Sequence, residues 1–362
     1  MSKFFYALLG LLIVGNAFAV VGDTIYIDYD LQGGKNNPEN LSSYLYSTRS
    51  DYPSIDFFPP TKDGADFLGW FFDSSPYDNK AITYTDPVIS LSRPQKGRLS
   101  LYARWGVKAK IPQQNESGCM LVHDAAELYG AVKASDSLMR KNKQICVSIE
   151  NDIVVNKNLL AADGSPNEGT HYWWKPFGNF MGVIEGNGHT ISGLYGNVGF
   201  VNIAEGEYNA LIQNLGIVDS YFAGDDYVGS FIANTLGFGI SLKNVYSTAT
   251  LDSRGSHVGG LVGFAQVQQD HCAEVTLDAP ISKAPRAANN YDNNYNAVTI
   301  ENAYYAGHLI GYRVGGLVGG TDFAVFKNPF FAGIAEAKKN FSAISQKGET
   351  QCQDFPNWKV VV

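Results

Sequence analysis

In this 362-residue chain, the groupings that suggest catalysis are the adjacent acids Asp225-Asp226 and the pair Glu185 and His189. Two carboxylates across a sugar bond, or an acid beside a basic ring, are machinery for cleaving glycans. Each grouping also has a plainer reading. Asp225-Asp226 falls between strand-like runs, where a solvated turn accounts for it, and Glu185-Gly186-Asn187-Gly188 reads as a tight turn. Other chemistries are excluded by motif: HExxH, the GxSxG elbow and the Walker loop are all absent from the sequence. Gly186-Asn187-Gly188 begins like a dinucleotide fingerprint but has Ile191 where the last glycine is needed. There is no CxxC, and His271-Cys272 alone makes no zinc site. No catalytic residue, metal or cofactor is expected, and the chain reads as a binding protein.

Aromatic residues give the stronger lead, because flat rings bind sugar faces or protein surfaces with little entropy loss. Tyr291 and Tyr295, in a polar stretch, and Trp173 and Trp174, in His171-Tyr172-Trp173-Trp174, are the candidate ligand contacts. The pairs Tyr221-Phe222 and Tyr304-Tyr305 recur and are assigned to stacking inside the fold. Composition agrees with a Gly-rich, aromatic-rich, β-dominated protein: 38 glycines, 13% aromatic and 17% charged residues, against roughly 25% charged in an average domain. A net charge of −8 argues against a general nucleic-acid binder, which needs a basic footprint.

Residues 1–19 read as a secretory signal peptide: Lys3, the apolar run Phe4 to Val14, and the small-x-small site Ala17-Phe18-Ala19. That run is too short to span a bilayer, and no other stretch is long enough, so a secreted or cell-surface location without a transmembrane segment is expected. In an exported chain, Cys119, Cys146, Cys272 and Cys352 allow three pairings. Cys119 and Cys146 flank one helical segment and are the expected disulfide; Cys272 and Cys352 pair more remotely or stay free.

Residues 23–105 form a first module. Ile25, Ile27 and Tyr29 alternate with polar residues as in a strand, and further strands are predicted at Phe67–Phe72, Ile82–Tyr84 and Leu99–Trp105. Trp70 and Trp105 are assigned to its core. Residues 106–118 read as a linker and 119–160 as a cap. The cap holds a helix over 124–134, opened by Asp124 with Glu127 three residues on, then strands through Ile145, Val147 and Ile149 and at Ile153–Val155.

Internal repetition dominates 161–345. Ile212-Gln213-Asn214-Leu215, Leu242-Lys243-Asn244-Val245 and Ile300-Glu301-Asn302-Ala303 are each followed by a glycine-punctuated run. The clearest such runs are Val258-Gly259-Gly260-Leu261-Val262-Gly263 and Val314-Gly315-Gly316-Leu317-Val318-Gly319. A polar insertion, 266–296, separates two copies, and 346–362 reads as a tail. A period near 30 with two short strands per unit predicts a right-handed β-solenoid whose units stack to bury their edges. The glycines are expected to turn the backbone or admit a close neighbour. Asn214, Asn244 and Asn302 are expected to form an inward ladder bonded to turn backbone. Alternation within Val258–Gly263 predicts a single strand.

Two resemblances follow. Gly33-Gly34, Phe67-Leu68-Gly69-Trp70-Phe71 and Leu101-Tyr102-Ala103-Arg104-Trp105 resemble the internalin-type B-repeat family, small β-grasp-like modules of bacterial surface proteins, which implies a spacer or adhesion role. The VGGLVG runs, with Gly182-Val183-Ile184-Glu185-Gly186-Asn187-Gly188, resemble GLUG-motif proteins, secreted β-helix-like repeats of bacterial surfaces. Some proteins with that motif are IgA-specific metallopeptidases, but this sequence lacks their HExxH. Together the resemblances imply adhesion to, or binding of, a surface glycan or protein. The competing functions are a carbohydrate-active β-helix enzyme and a purely structural spacer.

Overall fold

A computed structural model describes residues 24–45, 55–72, 84–85, 88–91, 98–139, 141, 143–205, 210–236, 239–265, 298–321 and 324–347. The protein is mainly β, with one helix among the described residues. In the first module, strands are ordered Ser43–Leu45, Thr24–Asp30, Leu99–Val107, Ala65–Phe71; the central pair is parallel and the outer pairings antiparallel. The alternation read from sequence sets the faces. Ile25 and Ile27 point into a core with Phe57, Leu99 and Leu101, and Trp70 and Trp105 are buried there as expected.

The helix Ala125–Met139 runs five residues past its predicted end. Asp124 caps it, its Oδ1 accepting the Glu127 N–H at 2.8 Å. Glu127 reaches back to the His123 N–H at 2.9 Å, one residue earlier than a standard capping box provides. Cys119 and Cys146 form the expected disulfide across this helix. Closing that loop stabilises the fold by about 3.6 kcal/mol on a chain-entropy model.

From Met120 onward, strands join parallel sheets in which each repeat pairs in register with the next. One column runs Met120, Val147, Ile184, Ile212, Leu242, Ile300, Phe326 across seven strands. All seven residues are buried, because strand alternation turns this column inward while the residues on either side of it face out. Each repeat has more strands than the two expected. The copy beginning at Leu211 has five: Leu211–Gln213 and Gly216–Val218 in a twelve-stranded sheet, Tyr221–Gly224 and Tyr227–Gly229 in a seven-stranded one, and Ile232–Leu236 in a six-stranded one.

The VGGLVG run is a corner, not one alternating strand. His257–Gly259 ends in the seven-stranded sheet and Val262–Ala265 begins in the six-stranded one, so Val258, Leu261 and Val262 are all buried. Its glycines admit close neighbours and none has a positive φ. A Cβ on Gly259 or Gly315 would lie within 2 Å of the Val262 or Val318 carbonyl oxygen. On Gly260 or Gly316 it would meet the carbonyl oxygen of the next corner, Gly316 or Ala343. On Gly319 it would meet the Gly263 and Val258 carbonyl oxygens, and on Gly263 the Ala233 carbonyl oxygen and the Val228 nitrogen of the preceding repeat.

Candidate functional site: the outward face of the twelve-stranded sheet

The asparagines form a ladder, but it faces outward. Asn244 Nδ2 donates to Asn214 Oδ1 (2.9 Å), Asn302 to Asn244 (3.1 Å) and Asn328 to Asn302 (2.9 Å), while Asn214 donates to Glu185 Oε1 (2.9 Å). Asn244, Asn302 and Asn328 are exposed. All four asparagines have φ between 49° and 54°, a left-handed conformation asparagine tolerates better than most residues. That conformation turns the chain between paired strands and swings the amides out to bond one another instead of turn backbone.

Two more columns flank the amides. On one side Glu185, Gln213, Lys243, Glu301 and Lys327 lie in register. Gln213 Nε2 donates to Glu185 Oε2 at 2.7 Å, and Lys327 Nζ lies 3.8 Å from Glu301. On the other side the register runs Gly216, Tyr246, Tyr304, Phe330. The Tyr246 and Tyr304 rings stack at 5.0 Å and 11°. The Tyr246 ring lies over Gly216, where a Cβ would stand 2.5 Å from its Cζ. Tyr304 is 40% and Phe330 62% exposed. The pair Tyr304-Tyr305 is therefore split, since strand alternation buries Tyr305 and presents Tyr304, whereas Tyr221 and Phe222 are both buried as expected.

Glu185 ends the ladder. Partial burial pushes its carboxyl up, but hydrogen bonds from Asn214, the Asn187 N–H and Gln213 outweigh this and hold it below the ordinary glutamate value. A general acid needs the opposite shift. His189 Nδ1 lies 3.3 Å from Asp152, whose Oδ1 also accepts the Thr190 N–H. Asp225 and Asp226 sit exposed in the turn after Tyr221–Gly224, as the plainer reading expected. The described residues hold no cluster of three metal-ligating side chains.

The tryptophans are not ligand platforms in this structure. Trp174 is fully buried, its ring stacked on Phe200 at 5.4 Å and its indole N–H donating to the Phe200 carbonyl. Trp173 is 7% exposed and joins the first module to the repeats. Its backbone N–H donates to Trp105 O at 2.7 Å, and the Arg104 guanidinium lies between the Trp173 and Phe71 rings, 3.8 and 3.7 Å from their centroids. The flat rings that recommended both residues as platforms are used in packing within the fold. Tyr291 and Tyr295 lie outside the described residues.

Sequence reading missed Arg104, Tyr246 and Asn328. Asn328 left a signal: it precedes Phe330-Phe331-Ala332-Gly333 as Asn302 precedes Tyr304-Tyr305-Ala306-Gly307. Tyr246 left the same signal, standing two residues after Asn244 as Tyr304 stands after Asn302; Arg104 left none, since its partners are distant in sequence.

No family model matches the chain, and no curated protein matches it. Among solved structures it is similar to one described as "a putative immunoglobulin A1 protease from Bacteroides ovatus", at 15% identity and a TM-score of 0.38, covering 67% of this chain and 74% of that one. A likeness this slight carries no argument about this chain. No helix among the described residues is long and apolar enough to cross a membrane.

Proposed function

We propose that this is an exported bacterial surface or extracellular protein that binds a glycan or protein ligand without catalysis. On this reading its repeats form a right-handed β-solenoid of the GLUG type, behind a β-grasp-like B-repeat module and a small helical cap. The observation that carries it is the outward face, where charged, amide and aromatic columns run side by side in register over successive repeats. Amides and carboxylates supply directional hydrogen bonds, and exposed tyrosine supplies apolar area at low entropic cost. A periodic face of this kind suits an extended ligand that meets the same contacts again at each repeat, so weak contacts add.

The test is a broad glycan and protein panel read for both retention and turnover by the mature protein. Truncating a central aromatic contact costs about 1–2 kcal/mol, so Tyr304→Ala should weaken retention roughly 5- to 30-fold. Tyr312→Ala, also exposed but on the seven-stranded sheet, should leave it unchanged. Full retention by Tyr304→Ala would reject this face as the contact. Release of new reducing or unsaturated sugar ends would reject the non-catalytic reading.

A further inference from the structure

Along the stack axis the outward face of the twelve-stranded sheet repeats at the distance between paired strands, about 4.8 Å. The Tyr246 and Tyr304 rings follow that step at 5.0 Å. The amide ladder leaves the same groups over at each rung. A primary amide has two N–H donors and an oxygen with two lone pairs. Asn244 donates one N–H to Asn214 and accepts one from Asn302, and Asn302 does the same between Asn244 and Asn328. Among the described residues, each of these two exposed amides therefore turns one N–H and one lone pair outward.

Charge and spacing then sort the ligands such a face can hold. In the flanking column Glu185 and Glu301 stand against Lys243 and Lys327, with Gln213 between, so its formal charges cancel. A polyanion gains no net attraction there, and the chain's overall charge of −8 repels it. An extended peptide presents same-side groups about 6.6 Å apart and falls out of step with the rungs, while an α-helix pairs its backbone groups internally. Equatorially linked pyranose rings in an extended chain advance by about one strand spacing per ring. Their hydroxyls, each both donor and acceptor, lie on both edges of every ring. A ring turned over relative to its neighbour therefore still meets the amide N–H and oxygen of its rung, with the tyrosine column alongside.

We infer that the ligand of this face is an uncharged, extended, β-linked polysaccharide that lies along the stack axis with one sugar per repeat. The inference rests on the binding face proposed above and adds the ligand's class, direction and register. The ladder runs over the four asparagines Asn214, Asn244, Asn302 and Asn328, so four consecutive rings fill it. Each ring adds a small contribution, and the contributions sum because the rungs are held at fixed spacing.

Calorimetric titration of the mature protein tests it, with β-linked gluco-, manno- and xylo-oligosaccharides of two to six rings and a matched oligogalacturonate series. The expected result is that an uncharged series binds and tightens about fivefold for each ring up to four, one net hydrogen bond per rung, with less than about twofold gained beyond. Binding should not change with salt, and Tyr304→Ala should weaken the four-ring ligand roughly 5- to 30-fold. Affinity that does not grow with ring number, preference for the galacturonates, or no binding by any uncharged series would overturn the inference. The binding face itself would survive those results if Tyr304→Ala weakened retention of an acidic glycan or a protein from the panel. Uncharged oligosaccharides bound equally by the mature protein and Tyr304→Ala would overturn both.

Discussion

Removing the Arg104 side chain should loosen the junction between the first module and the repeats. Its guanidinium lies within 4 Å of the centroids of both Phe71 and Trp173, and the residue is only 6% exposed. Each cation–π contact is worth ~0.5–2 kcal/mol depending on desolvation, so the two together stabilise the closed junction by about 1–4 kcal/mol. The Trp173 amide reports the opening directly, because it donates to Trp105 O across the same junction. In Arg104→Leu, native-state hydrogen exchange at that amide should speed up roughly 5- to 900-fold, the rate equivalent of that range. Arg104→Lys keeps the charge but loses the planar stack, so it should fall between. A double-mutant cycle with Trp173→Leu should give a coupling above about 0.5 kcal/mol. Wild-type exchange in both Arg104 variants, or additivity in the cycle, would refute the sandwich as the element that fixes the module.

Three further outcomes are expected. Asn302→Ala puts at φ near 49° a residue without the polar side chain that lets asparagine tolerate that conformation, and removes two side-chain hydrogen bonds; about 2 kcal/mol of stability should go in urea unfolding, while exposed Lys327→Ala should change it by less than about 0.5 kcal/mol. Glu127 is held at about 2 by its hydrogen bond from Lys110, with bonds from the His123 ring and backbone N–H, against a burial effect that raises it. Because its folded value lies below the unfolded one, its contribution is present above about pH 4.3 and fades as pH falls toward 2. The gap between wild type and Glu127→Gln, about 2 kcal/mol at pH 6, should therefore close over that window; a gap constant with pH would contradict the ion pair as its source. Gly216→Val should push the Tyr246 ring off its resting place and disturb its stack with Tyr304, read as a changed tyrosine near-UV circular dichroism; an unchanged spectrum would mean the ring does not rest there.

The first module positions one end of the molecule. Besides the Arg104 sandwich, Asp66 accepts the Ala109 N–H at 3.0 Å, and Lys110, in the segment read as a linker, pairs with Glu127 at 2.8 Å. Gly130 lies so close to the Lys110 carbonyl that a Cβ there would stand 1.9 Å from its oxygen. Strand Leu99–Val107 runs into this segment, and Gln113–Gln114 joins the twelve-stranded sheet. Its charge and its proline suggested a loose connection; contacts with residues far along the chain tie it down instead.

Periodic features were legible from sequence because they recur at intervals a reader can count. The in-phase Ile, Leu and Asn positions, the glycine runs and the alternating strands of the first module each report a local rule of backbone or burial. Direction was not legible. Whether Asn244 faces the core or solvent depends on a left-handed turn that sequence only permits, and whether Trp173 meets a ligand or Arg104 depends on contacts between residues about 70 positions apart. A repeat fixes which residues share a column, while only the packed chain decides which side of that column is wet, because burial belongs to neighbours that chain order does not name.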